Sequence, residues 1–281
     1  MRGRLPQGSS FLIENSCVPL VASAPSGRAD NGQLIIEGRR KMKMEEIYSH
    51  TFKAIRKELG LDRPRDERPL WQRCLSTESV FCRALVSNGY LSEEQMQRAA
   101  QRYRLGRSRD GGVIFWQIDE HGVLHDGKIM YYRPDCHRDH DHKPTWTSFL
   151  LRKAGQLPDD WRPEHCLFGL HLLGHTATVC VVESEKTAVM MSELRPDCLW
   201  LATGGKTELN VARLKPLQGR RVILFPDTDT DGSTYREWYE LALAAGDVYG
   251  QPFTVSAILE QHATPSQKQR KIDIADYFFE K

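Results

Sequence analysis

From residue 178 onward the chain alternates short apolar runs with helical segments: TVCVVES, EKTAVMMSEL, LWLATG, TELNVARL, RRVILFPD, STYREWYELALAAG, FTVSAIL and IADYFFEK. Near-continuous apolar strands joined by crossover helices are the pattern of a parallel sheet covered on both faces. Parallel neighbours cannot be joined by a tight hairpin, and each crossover lays a helix against the sheet. An α/β fold is therefore expected here. Such sheets take ligands beyond the carboxyl ends of their strands. Two of those ends are acidic: VCVV runs into Glu183 and Glu185, and VILF runs into Asp227, Asp229 and Asp231, followed by Gly232.

Like charges gathered at a strand end each raise the cost of ionising the next. A divalent cation removes that cost. Carboxylates brought together from two strand ends suit magnesium, which prefers hard oxygen ligands, keeps several waters and binds one or two carboxylates plus a substrate phosphate. A competing account dresses a helix N-terminus with acid, so that Asp229 or Asp231 caps the helix starting near Ser233. Capping accounts for one aspartate and leaves the others, with Glu183, unexplained.

At 281 residues and 40% hydrophobic content, the chain can bury a sizeable core in one large domain or two smaller ones. No apolar stretch approaches the ~20 residues a membrane span needs. FLIENSCVPLVASA is too broken by Glu14, Asn15 and Pro19 to form a signal-peptide core, so the cytoplasm is the expected location. The seven cysteines include no C-x-x-C pair, which argues for reduced thiols over a disulfide framework or a zinc ribbon. Cys136, His137, His140 and His142 crowd one polar stretch, CHRDHDHKP, whereas zinc sites draw ligand pairs from two separate places. That stretch reads as a solvated loop.

Net charge is +2 and unevenly placed, with 14 Lys/Arg against 9 Asp/Glu over residues 1–73. Such a front end suits either a solvated leader or a segment lying against nucleic acid. Residues 1–41 lack periodicity and read as a disordered leader; the first helical pattern, KMEEIYSHTFKAIRKELG, opens at Met42 or Met44. Two more helical patterns follow, ESVFCRALVSNG and SEEQMQRAAQRY, the second with Ser92 and Gln95 spaced as a capping box. GGVIFWQID and GKIMYYRPD then read as strands of a small antiparallel sheet, with tight turns expected at His121-Gly122 and Asp126-Gly127. The expected organisation is a leader (1–41), a helical region (42–108), a β-rich subdomain (109–175) and the α/β domain (176–281).

Glu183 after one strand, Gly204 and Gly205 in LATGGKT after the next, and Asp227-x-Asp229-x-x-Gly232 after a third resemble the Toprim domain of bacterial primases, topoisomerases and certain nucleases. Upstream, VIFWQIDEHG, KPTW and LFGLHLL are similar to the strand-turn-strand, lysine link and L-Y-G-L of the primase core. The likeness covers roughly residues 109–281 and extends to primase-like Toprim proteins of bacterial mobile elements. Ser184 stands where the family has glycine, DGKIMYY replaces a Gly-Gly-Arg run, and no zinc ribbon is evident. GGKT is not a Walker A loop, since its required first glycine falls on Trp200.

The resemblance implies a Toprim-type parallel sheet flanked by helices, preceded by a small mixed α+β domain. It also implies phosphodiester chemistry on nucleic acid with Mg²⁺, or Mn²⁺ in its place. Glu183 would act as general acid/base or metal ligand, Asp227 and Asp229 would hold the ion, and Asp231 would complete the acidic set. Lys206 borders the mouth of the site, and Lys128, Lys143 and Lys186 are further candidates for neutralising phosphates. Primase-like nucleotidyl transfer is the leading expectation; a metal-dependent endonuclease and a non-catalytic DNA-binding module of replication or mobilisation are the alternatives. Single-stranded DNA, nucleotides and a helicase or other replication protein are the implied partners.

Overall fold

Residues 70–158, 160–174 and 178–280 are described by the computed structural model. The expected leader and the helix expected to open at Met42 or Met44 lie outside them. After a helical turn at Leu70–Arg73, two helices begin on serine caps. Ser79 accepts from the Cys82 N–H at the head of α1 (Val80–Ser87). Ser92 and Gln95 exchange bonds at the head of α2 (Glu93–Arg102), forming the capping box that their spacing predicts.

The antiparallel sheet follows in the order β1 (Gly106–Arg107), β2 (Val113–Ile118), β3 (Leu124–Met130) and β4 (Thr145–Trp146). The turn between β2 and β3 forms at His121-Gly122 as expected. Asp119 Oδ1 accepts the N–H groups of His121 and Val123, and Gly122 takes φ 81°. The second expected turn is absent, because Asp126-Gly127 lies inside β3, paired with Gln117 and Trp116. Gly127 is there for space: a Cβ would stand 2.5 Å from the Trp116 ring. Asp126 is buried and accepts from Thr147 Oγ1 and the Ser148 N–H, which ties β3 to the start of α3 (Thr147–Lys153). The CHRDHDHKP stretch is only partly a solvated loop, since Cys136 turns inward at φ 65° and its thiol joins the core.

Alternate residues of β5 (Thr178–Val182) enter different cores, as a period of two dictates. Val179 and Val181 pack on one face, Cys180 and Val182 on the other. With β6 (Leu199–Ala202), β7 (Arg221–Phe225) and β8 (Phe253–Val255), β5 forms an all-parallel sheet of order β6-β5-β7-β8. Helix α4 (Glu185–Leu194) covers the face of Cys180 and Val182 together with α2. After α5 (Val211–Leu214), α6 (Ser233–Tyr249) covers the other through Trp238, Ala242 and Ala245. Three short helices close the described chain: α7 (Ile258–His262), α8 (Pro265–Arg270) and α9 (Ile274–Phe279).

The two sheets share a core. Phe168 lies edge-on to Phe115 of β2 and flat against Tyr103, while its backbone bridges Ala202 at the end of β6. Tyr103 is fully buried and donates its hydroxyl to the Trp200 carbonyl at 2.7 Å. The fold is thus α/β, a parallel sheet flanked by helices behind a four-stranded antiparallel sheet. Among the described residues no helix is long and apolar enough to cross a membrane.

Candidate functional site

Strands β5 and β7 are neighbours, and Val182 pairs with Phe225, so their carboxyl ends finish level. That register brings the loop at Glu183 beside the loop at Asp227. The Asp227 backbone N–H favours the charged Glu183 carboxylate, whose Oε1 is buried without a hydrogen-bond partner in a residue only 8% exposed. Burial raises the Glu183 pKa, the Asp227 N–H and Lys206 work against it, and Asp229 and Glu237 add to the rise. The net result is a carboxyl held above its usual range. Ser184, which stands where the resembled Toprim pattern has glycine, has an ordinary extended φ of −101° and caps α4 by accepting the Thr187 N–H. No glycine is needed there.

Asp229 divides its two oxygens. Oδ2 accepts from Ser233 Oγ at 2.9 Å, Thr234 N–H at 2.9 Å and Thr234 Oγ1 at 2.5 Å, all at the head of α6. Oδ1 is buried with no partner. Burial alone would raise this carboxyl, but the Thr234, Ser233 and Gly232 donors outweigh it and hold the group well below the carboxylate range. One oxygen therefore does the capping work, and the other remains free for a ligand.

Asp227 behaves oppositely: burial and the charges of Glu183, Asp273 and Asp276 push its carboxyl well up, with Lys186 opposing. Asp231 is exposed; its carboxylate accepts the Ser233 N–H within its own loop at 3.1 Å, and its carbonyl accepts from Arg236. The fold gathers Glu183, Asp227 and Asp229, and leaves Asp231 at the surface.

Two acidic residues join the group unannounced. Asp273 and Asp276 form the capping box of α9, and Thr187 Oγ1 donates to Asp273 Oδ2 at 2.5 Å. Lys186 lies between them and Asp227, with its Nζ 3.8 Å from Asp276 Oδ1. Burial opposes its charge, yet Asp273 and Asp276 raise its pKa. The only signal in the sequence was D-I-A-D at the head of IADYFFEK, which local reasoning takes as a helix start.

The basic residues divide as well. Lys206 carries its charge to Glu183 and pairs with Glu237 at 3.5 Å. Lys128 reaches from β3 to Glu185 at 3.1 Å and to the Gly204 carbonyl at 2.6 Å. Lys143 is exposed in the loop before β4. Gly204 takes φ 90° and donates its N–H to the Glu183 carbonyl, which stitches the β6 loop onto the β5 loop. Gly205 follows it in that loop, and Gly232 opens α6.

Among the described residues no three His, Cys, Asp or Glu side chains stand ready as a closed metal cage. Glu183 Oε1 and Asp229 Oδ1 nevertheless fit a hard cation that takes two carboxylates and fills its remaining positions with water and phosphate.

A family model described as a domain of unknown function, DUF6371, matches residues 79–228. The chain belongs to the DUF6371 family. The match runs from the cap of α1 past the end of β7, so it takes in Glu183, Gly204, Gly205 and Asp227, and it stops before Asp229. This DUF6371 member is similar to the primase fragment of the bacteriophage T7 primase-helicase protein, with 19% identity, 72% of this chain and 76% of that chain covered, and a TM-score of 0.41. The Aquifex aeolicus primase, in its zinc-binding and RNA polymerase domains, gives 15% identity, coverage of 71% and 59%, and a TM-score of 0.39. An arginine–tRNA ligase of Proteus mirabilis (strain HI4320) is 34% identical over 73 residues, 24% of this chain. The match spans 12% of the length of that ligase.

Proposed function

We propose that this protein carries out divalent-cation-dependent phosphodiester chemistry on nucleic acid, as a Toprim-type, primase-like nucleotidyltransferase. The observation that carries this reading is the pair of unpartnered buried oxygens, Glu183 Oε1 and Asp229 Oδ1, at the carboxyl ends of adjacent parallel strands. Leaving buried carboxylate oxygens unpaired is costly, and a ligand supplies what the protein does not. Magnesium, when held there with manganese as its substitute, would neutralise charge on a phosphoryl group and polarise its oxygen.

The chain's own carboxylates divide the remaining work by their proton load. Asp229, fixed by α6 and held low, stays ionised as the anchor. Glu183 and Asp227, both held high, are the groups able to take or release a proton near the reacting oxygens. Lys206 stands at the mouth to meet phosphate. Incubating the purified protein with single-stranded DNA, labelled nucleotides and Mg²⁺, and scoring extension and cleavage together, tests the reading. Mg²⁺-dependent extension that Glu183→Gln abolishes is the expected result. Cleavage without extension would make the protein a nuclease, and DNA binding with neither would make it a binding module.

A further inference from the structure

Lys128 and Glu185 form a buried pair, with side chains 12% and 4% exposed, from two different sheets. Lysine and glutamate are seldom buried unless paired, and a buried pair is weak evidence for stability alone. Its placement says more. Lys128 lies on β3 opposite Phe115 and Trp146, while Glu185 opens α4 two residues beyond Glu183. The Lys128 ammonium also donates to the Gly204 carbonyl at 2.6 Å. From its other side the same loop is tied to the Glu183 carbonyl, by the Gly204 N–H at 3.0 Å and Thr203 Oγ1 at 3.2 Å. Gly204 leaves little slack, since a Cβ there would stand 3.2 Å from Glu185 Oε1. Two residues further on is Lys206.

We infer that Lys128 is a positioning residue: clamped by Glu185, it holds the Gly204 carbonyl and sets the β6 loop so that Lys206 meets nucleotide phosphates beside Glu183 and Asp229. This rests on the reading of Glu183 and Asp229 as a cation site. The antiparallel sheet thereby governs the phosphate side of the site without touching substrate.

The test replaces both buried charges, in Lys128→Met combined with Glu185→Leu, an exchange that apolar packing tolerates. Manganese alone and manganese with inorganic pyrophosphate are the probes, and amide hydrogen exchange follows the loop. The double variant should bind Mn²⁺ alone within about threefold of wild type, because both carboxylate ligands remain. It should bind pyrophosphate in the presence of Mn²⁺ at least about tenfold more weakly, with the Gly204, Gly205 and Glu208 amides exchanging at least about tenfold faster. Lys128→Arg, which keeps charge and donors, should rescue both losses at least in part. A double variant of wild-type stability with unchanged pyrophosphate affinity or unchanged exchange at those amides overturns the inference. Should that variant not fold, Lys128→Gln, whose amide falls short of Gly204, takes its place with the same expected losses. A wild type that does not bind Mn²⁺ overturns the cation-site reading itself and takes this inference with it, whereas wild-type Mn²⁺ binding with unaffected variants overturns the inference alone.

Discussion

Asp227→Asn should make the metal-free protein more stable at neutral pH, although it alters a half-buried polar residue of the site. Burial and the carboxylates of Glu183, Asp273 and Asp276 hold Asp227 well above the ordinary aspartate range, with Lys186 only partly compensating. In the unfolded chain it ionises near its usual value of about 3.9. Below that pH both states hold the proton and Asp227 costs nothing. As pH rises further, the unfolded chain loses a proton that the folded protein keeps, so folding weakens by about 1.4 kcal/mol per pH unit until the folded-state pKa is passed. Asparagine has the shape of the protonated acid and cannot ionise, so the variant escapes this loss. In melting temperature the gap between variant and wild type should widen by about 3–6 °C per pH unit above pH 4. Thermal melts of both proteins in EDTA, from pH 4 to pH 7, measure it. Parallel melting profiles across that range, or a variant less stable at pH 7, would refute the claim that burial and neighbouring carboxylates raise the Asp227 carboxyl.

Magnesium at about 100 times its Kd should stabilise the wild type by ~2.7 kcal/mol, and Glu183→Gln should lose most of that gain in melts with and without EDTA. Asp229→Ala should cost about 1–2 kcal/mol even in EDTA, because Oδ2 serves the head of α6 whether or not a metal is bound. Since the Asp229 carboxyl is depressed in the folded protein, its contribution is complete above the unfolded aspartate value and fades as pH falls below it. Urea titrations at pH 7 and pH 2.5 should therefore show a smaller cost for Asp229→Ala in acid. Gly127→Ala should destabilise by about 1–3 kcal/mol, because the added methyl overlaps the buried Trp116 ring; an unchanged urea midpoint would show that the ring has room to move.

The amino-acid order alone determined whatever short-range physics governs. The near-continuous apolar runs of β5 to β8, the capping box at Ser92 and Gln95, and the acidic ends of VCVV and VILF depend on neighbours a few residues apart, and each stands where its pattern placed it. Asp126-Gly127 has the local look of a turn, yet the Trp116 ring on the adjacent strand claims the space above Gly127 and keeps the pair in β3. Only the tertiary structure decided which charges meet. It carried Asp273 and Asp276 from α9 to Lys186 and Asp227, and set Lys128 on Glu185 and Gly204 across two sheets. It also split Asp229 between a helix cap and a free oxygen, where composition and spacing offered those roles as rivals. The reason is distance: a carboxylate's proton load and free lone pairs depend on burial and on groups within a few ångströms, and those groups come from chain segments tens of residues away.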